Sequence, residues 1–145
     1  MTLGMRIGAA RWLAVLMVLS WVGVSHAQVD LAKVLVGRWE GEQEYLLVHS
    51  DNPKRVLVIE SVSQVDGKWV ANGRYGTPAG LGRAKIAIET SGKNVGLSWT
   101  GPTGNQFQLN LLQDKHLVGK VTLTMEQSKS GTGSRDRTLK LEKVN

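Results

Sequence analysis

The chain has 145 residues, carries 18 Lys and Arg against 12 Asp and Glu for a formal charge of +6, and contains no cysteine. Without cysteine there are no disulfide staples, thiol nucleophiles or cysteine-ligated metals. The basic excess is not gathered into a run with interleaved aromatics, so no nucleic-acid partner is expected.

The first 27 residues read as a secretory signal peptide. Arg6 and Arg11 form a basic start, residues 12–24 are an uncharged apolar stretch, and Ser25-His26-Ala27 places small residues where a signal peptidase reads them. The apolar stretch has 13 residues, short of the roughly 20 that span a bilayer as a helix. Arg6 and Arg11 are not adjacent, so a twin-arginine signal is not indicated and the leader is Sec-type. Cleavage after Ala27 leaves residues 28–145 as one domain, with a charge of +4 once Arg6 and Arg11 are lost from the +6 total. With no cysteine for lipid attachment, the mature chain is expected to be periplasmic or secreted and to have no membrane anchor.

Asp30 can cap a short helical turn through residues 31–35. From residue 36 onward the chain is cut by seven clusters of turn formers: Asp51-Asn52-Pro53, Asp66-Gly67, residues 76–82, Ser91-Gly92, residues 101–104, Asp114-Lys115 and residues 128–136. The eight segments between them are rich in Val, Ile, Leu, Thr and aromatics, and are of strand length.

The first strand, residues 36–49, sets Gly37, Trp39, Gly41, Gln43, Tyr45 and Leu47 against Arg38, Glu40, Glu42 and Glu44. Period-two alternation places the first set inside and the second outside. The second strand breaks the rule, because Val56, Val58 and Val62 share a parity with Glu60 while Leu57 and Ile59 share the other with Ser61. Its register is open at this point, with Glu60 either solvent-facing or a buried carboxylate that needs a partner.

The third strand offers Trp69, Ala71, Gly73 and Tyr75 inward; the fourth Ala84, Ile86 and Ile88; the fifth Val95, Leu97 and Trp99; the sixth Phe107, Leu109 and Leu111. The seventh offers Leu117, Gly119, Val121, Leu123 and Met125, and the eighth Leu139, Leu141 and Lys143. One apolar and one wet face predict a sheet around one core. Closing the eighth strand antiparallel on the first removes both free edges. The predicted fold is therefore all-β, an eight-stranded antiparallel up-and-down β-barrel with a short N-terminal helical turn, after a signal peptide.

Leu35-Val36-Gly37-Arg38-Trp39-Glu40-Gly41, just after the helical turn and opening the first strand, resembles the Gly-x-Trp signature of the calycin superfamily. That group includes the lipocalins, the fatty-acid-binding proteins and the avidins. The resemblance implies that Gly37 lets the strand bend at a barrel floor, that Trp39 closes that floor, and that a basic side chain of the last strand crosses the Trp. Lys143 is suited to that role, although lipocalins usually use Arg. Lipocalins are also longer and carry a helix before the last strand, where residues 126–136 are polar and Gly-rich. In size the chain is closer to avidin-like barrels and to the small secreted barrel domains that accompany bacterial hydrolases. It looks like those groups at residues 72–76 and 97–101, but lacks a complete biotin site.

The inventory for catalysis is thin. Beyond the leader only His49 and His116 remain, each beside a turn, and no Gly-x-Ser-x-Gly elbow or paired-His motif accompanies them. No catalytic residue, metal site or cofactor is expected, and Glu40, Glu42 and Glu44 read as a solvated outer ladder. The aromatic set divides by position: Trp39 and Trp69 at one end of the barrel, Tyr45, Tyr75 and Trp99 at the other. Gln43, Tyr45, Tyr75 and Trp99, with Glu60 if it turns inward, are the candidate residues for a small, partly apolar ligand at the open end. The same rings also suit a simply filled interior. The alternative function is a non-catalytic interaction module, an inhibitor of or accessory to an extracytoplasmic enzyme, acting through loops 76–82 or 128–136.

Overall fold

The computed structural model describes residues 30–44, 53–124 and 135–145. Residues 1–29, which include the segment read as a signal peptide, and Tyr45, His49, Met125 and most of loop 128–136 lie outside the described residues. Residues 30–35 form one short helical turn, and eight strands follow: β1 (Gly37–Gln43), β2 (Lys54–Val65), β3 (Lys68–Thr77), β4 (Gly80–Ser91), β5 (Asn94–Thr100), β6 (Gln106–Leu112), β7 (His116–Thr122) and β8 (Asp136–Lys143). Each pairs antiparallel with its neighbour in sequence, and β8 returns to β1 to close the barrel. Each of these strands thus has two partners, and closure removes the edges that would otherwise offer backbone donors and acceptors to another chain.

The alternation read from the sequence is the burial pattern of the wall. Trp39, Leu57, Ile59, Ala71, Ile86, Leu97, Leu109, Leu117, Leu139 and Leu141 are buried in one cluster. Burying each large apolar side chain contributes about 1.5–3 kcal/mol, so this shared interior is the main source of stability. Leu35, from the helical turn, is fully buried in the same cluster and closes the end at which β1 begins.

The conflict of parity in β2 is resolved by a β-bulge. Ile59 pairs with Gly73 and Ser61 with Asn72, so Glu60 is the extra residue. One inserted residue moves every later side chain to the opposite face. Leu57 and Ile59 point inward before it, Val62 points inward after it, and Glu60 itself is exposed.

Residues 76–82 differ from the loop expected of them. β3 continues to Thr77 and β4 starts at Gly80, so only Pro78 and Ala79 connect them. The glycines that suggest a long loop instead sit inside paired strand, where Thr77 faces Gly80 and Tyr75 faces Gly82. One of the two loops considered for a protein interaction is therefore a tight hairpin.

Two glycines shape the seam where the barrel closes. Gly37 has φ +141°, a region that side-chain-bearing residues rarely adopt, and a methyl group there would crowd Lys143 Cε at 3.1 Å. A methyl group on Gly41 would overlap the Lys140 carbonyl oxygen on β8. β1 and β8 approach this closely only because the position has no side chain.

Candidate functional site

The two ends of the barrel differ in construction. At the floor, the Trp39 indole nitrogen donates to the Leu35 carbonyl at 3.0 Å, which ties the helical turn to β1. Lys143, opposite Trp39 in the β1–β8 ladder, places its ammonium 5.6 Å from the Trp39 ring centroid. That ammonium also donates to the carbonyls of Val34 at 2.6 Å and Lys33 at 3.2 Å. These are C-terminal carbonyls of the turn, which have no partner within a helix and which a cation satisfies well. Gly37, Trp39 and Lys143 together form a plugged end.

The other end carries Gln43, Tyr75 and Trp99. Gln43 is buried to 8 % exposure at the end of β1. Tyr75 packs edge-on against Trp99, at 5.5 Å between centroids, and against Phe107, at 4.7 Å. Trp99 and Phe107, opposite each other on β5 and β6, stack at 4.6 Å with planes 3° apart. Such pairs contribute about 0.5–1.5 kcal/mol each beyond the area they bury. The three rings form a rigid aromatic platform on one half of the wall. Tyr45 lies outside the described residues.

Glu60 does not join this group. Its carboxylate projects from the bulge onto the outer surface and accepts from Arg74 Nε at 2.8 Å, with both side chains about half exposed. This agrees with the solvent-facing alternative for the residue and removes it from the interior. Glu40, on the outer ladder, pairs with Arg38. It also faces Glu142 across the β1–β8 seam, along an outer groove of about 640 Å³ that His116 also lines. Among the described residues no three His, Asp or Glu side chains are grouped as ligands for one metal ion.

Sequence reasoning missed two arginines. Arg137 is buried to 8 % exposure at the start of β8 and stands in one cross-strand row with Val121, Phe107 and Trp99. Arg55, on the inward parity of Leu57 and Ile59, sits beside Tyr75 closely enough to act on its hydroxyl. The signal was present: Arg137 alternates in step with Leu139 and Leu141, and Arg55 with Leu57. Treating residues up to 136 as a turn cluster hid the first, and the uncertain parity of β2 hid the second.

The Tyr75 hydroxyl is the most perturbed group at this end. Burial pushes its pKa up to about 12, because the phenolate would lose its hydration, and the Arg55 guanidinium offsets only part of that. Arg55 is close enough for its charge to be felt, but the hydroxyl oxygen is buried without a hydrogen bond of good geometry. The side-chain oxygen of Asn105, in the β5–β6 connection at the same end, is likewise buried and unbonded. Each such group costs about 1–3 kcal/mol of unrecovered desolvation.

The chain matches no protein-family model, no curated protein and no solved structure. An eight-stranded closed antiparallel barrel is compatible with a calycin-like fold.

Proposed function

We propose that this is an exported, non-catalytic, calycin-like barrel that binds a small, partly apolar ligand at its open end. The observation that carries this reading is the pair of buried polar atoms without partners. Among the described residues, the Tyr75 hydroxyl and the Asn105 side-chain oxygen are the buried side-chain N and O atoms that lack a hydrogen bond, and both belong to the end opposite the plugged floor. Buried polar groups are nearly always satisfied, so an unsatisfied pair at one end favours a missing partner there. The platform of Tyr75, Trp99 and Phe107 offers the apolar contact, and Gln43 a further polar anchor.

The test uses the exported protein purified without denaturation. Native mass spectrometry is expected to show a bound small molecule. Adding back the extracted compound to stripped protein is expected to quench tryptophan fluorescence in the parent and not in Trp99→Phe, since Trp39 and Trp69 lie toward the other end. Bare polypeptide in every preparation, with no response of Trp99 to a panel of apolar compounds, overturns the reading and leaves a loop-borne protein interaction as the better one.

A further inference from the structure

We infer that copies of this chain associate head to tail, the basic outer wall of β3 and β4 on one copy docking on the acidic outer wall of β8 and β1 on the next. The inference concerns the outside of the barrel and stands apart from the ligand proposed for its interior.

Among the described ladders, two cross-strand pairs set like charges directly opposite each other. Arg74 faces Arg83 between β3 and β4, and Glu40 faces Glu142 between β1 and β8. All four side chains are exposed. A like-charge pair in that position destabilises the sheet that carries it. Each pair is only half compensated within its own wall. Glu60 pairs with Arg74 and Arg38 with Glu40, whereas Arg83 and Glu142 form no ion pair among the described residues.

The residues around each pair extend its sign. Lys85 follows Arg83 along the outer face of β4, exposed and without an ion pair among the described residues. Glu60 is the one carboxylate in that depression. Glu42 and Glu44 follow Glu40 along β1, and Lys140 and His116 are the basic side chains of the groove they line with Glu142.

The two patterns also agree in size and hand. Successive outward residues on a strand repeat at about 7 Å, and directly opposed residues on paired strands lie about 5 Å apart. Arg74, Arg83 and Lys85 therefore form a corner with the dimensions of Glu142, Glu40 and Glu42, one step across a ladder and one step along a strand. Lys85 lies toward the floor from Arg83, and Glu42 toward the open end from Glu40. Laid face to face with barrel axes antiparallel, the walls set Arg74 on Glu142, Arg83 on Glu40 and Lys85 on Glu42. Closure leaves no free strand edge for association, so copies meet through wall faces. Because the two faces differ, each added copy leaves one wall of each sign free and growth continues past the dimer. Exposed ion pairs are individually weak, so association depends on concentration and salt.

The test is sedimentation of the exported protein across a concentration series. At about 0.02 M salt the parent is expected to form dimers and larger species, and at about 0.5 M to associate about tenfold more weakly or less still, because screening shortens the reach of exposed charges. Arg83→Glu and Glu142→Lys each turn a like-charge pair into an opposite one, so both are expected to keep the parent's thermal midpoint or exceed it. Each alone is expected to stay monomeric. An equimolar mixture is expected to form one-to-one pairs and nothing larger, the intact basic wall of Glu142→Lys meeting the intact acidic wall of Arg83→Glu. Lys93→Glu makes the same charge change as Arg83→Glu in the β4–β5 turn and is expected to associate like the parent.

A parent that stays monomeric at low salt at every concentration overturns the inference. So does association that survives both reversals, that Lys93→Glu reduces as much as Arg83→Glu does, or that mixing the two reversed variants fails to restore.

Discussion

Lys143 lies over the Trp39 ring at 5.6 Å while donating to the Val34 carbonyl at 2.6 Å, so one ammonium joins the last strand, the first strand and the helical turn. The contact depends on closure, because Trp39 and Lys143 are cross-strand partners only after β8 returns to β1. Replacing Lys143 by Met keeps an unbranched apolar stem and removes the charge. It is expected to cost about 1–3 kcal/mol, combining a cation–π contact with charge-assisted bonds to backbone. Chemical denaturation measures the loss, and an unchanged midpoint would show that the floor does not depend on the ammonium.

Gly41→Ala tests the closeness of the β1–β8 seam. The added methyl would strike backbone, the Lys140 carbonyl oxygen, and backbone cannot rotate aside as a side chain can. A loss of about 3 kcal/mol or failure to fold is expected. Gly80→Ala is the control, since a methyl group at Gly80 meets nothing within 4 Å. It is expected to be neutral or to stabilise by about 0.4–1 kcal/mol through the unfolded chain. Thermal unfolding of the two variants side by side separates a close-approach glycine from a replaceable one.

Tyr75→Phe keeps the ring contacts and deletes an unbonded buried oxygen. Stability is expected to be unchanged or to rise by about 1 kcal/mol, whereas ligand binding at the open end is expected to fall. A gain in stability with a loss of function is the pattern of a polar group retained for binding. A fall of several kcal/mol in Tyr75→Phe would mean that the hydroxyl has a structural partner.

The same hydroxyl predicts an alkaline limit. An unfolded tyrosine titrates near 10 and Tyr75 near 12, so the folded chain holds this proton more tightly. The stability linked to it is complete below pH 10 and is lost as pH rises through 12. Between those values the expected slope is at most about 1.4 kcal/mol per pH unit. Urea unfolding at pH 9, 10 and 11 is expected to show this decline in the parent and a shallower one in Tyr75→Phe. Equal slopes would place the shifted phenol elsewhere.

Glu60→Gln is expected to change stability by no more than about 1 kcal/mol and to leave ligand binding as it is, because the Glu60–Arg74 pair is half exposed on the outer wall. A large effect on binding would require Glu60 to reach the interior, and titration of the variant with the extracted ligand decides it.

Glu60 also shows how far a sequence can be read. The switch of apolar parity from Leu57 and Ile59 to Val62 is the mark that one inserted residue leaves in a linear pattern. That pattern contained the bulge, but two interchangeable readings of it remained until β3 supplied the register. The β3–β4 hairpin failed for the opposite reason. Gly76, Gly80 and Gly82 have the composition of a loop and the pairing of a strand, and turn propensity is local whereas ladder pairing is not.

Local chemistry determined the strands, the turns, the inward and outward faces, and the likeness at Gly37 and Trp39, because each depends on residues a few positions apart. Closure followed from counting strands and from the cost of bare edges. The meeting of Arg55 with Tyr75, the row from Trp99 through Phe107 and Val121 to Arg137, and the unbonded oxygens of Tyr75 and Asn105 did not follow in that way. They depend on the registers of all eight ladders at once, and an error of one residue in any ladder turns its side chains to the other face of the wall.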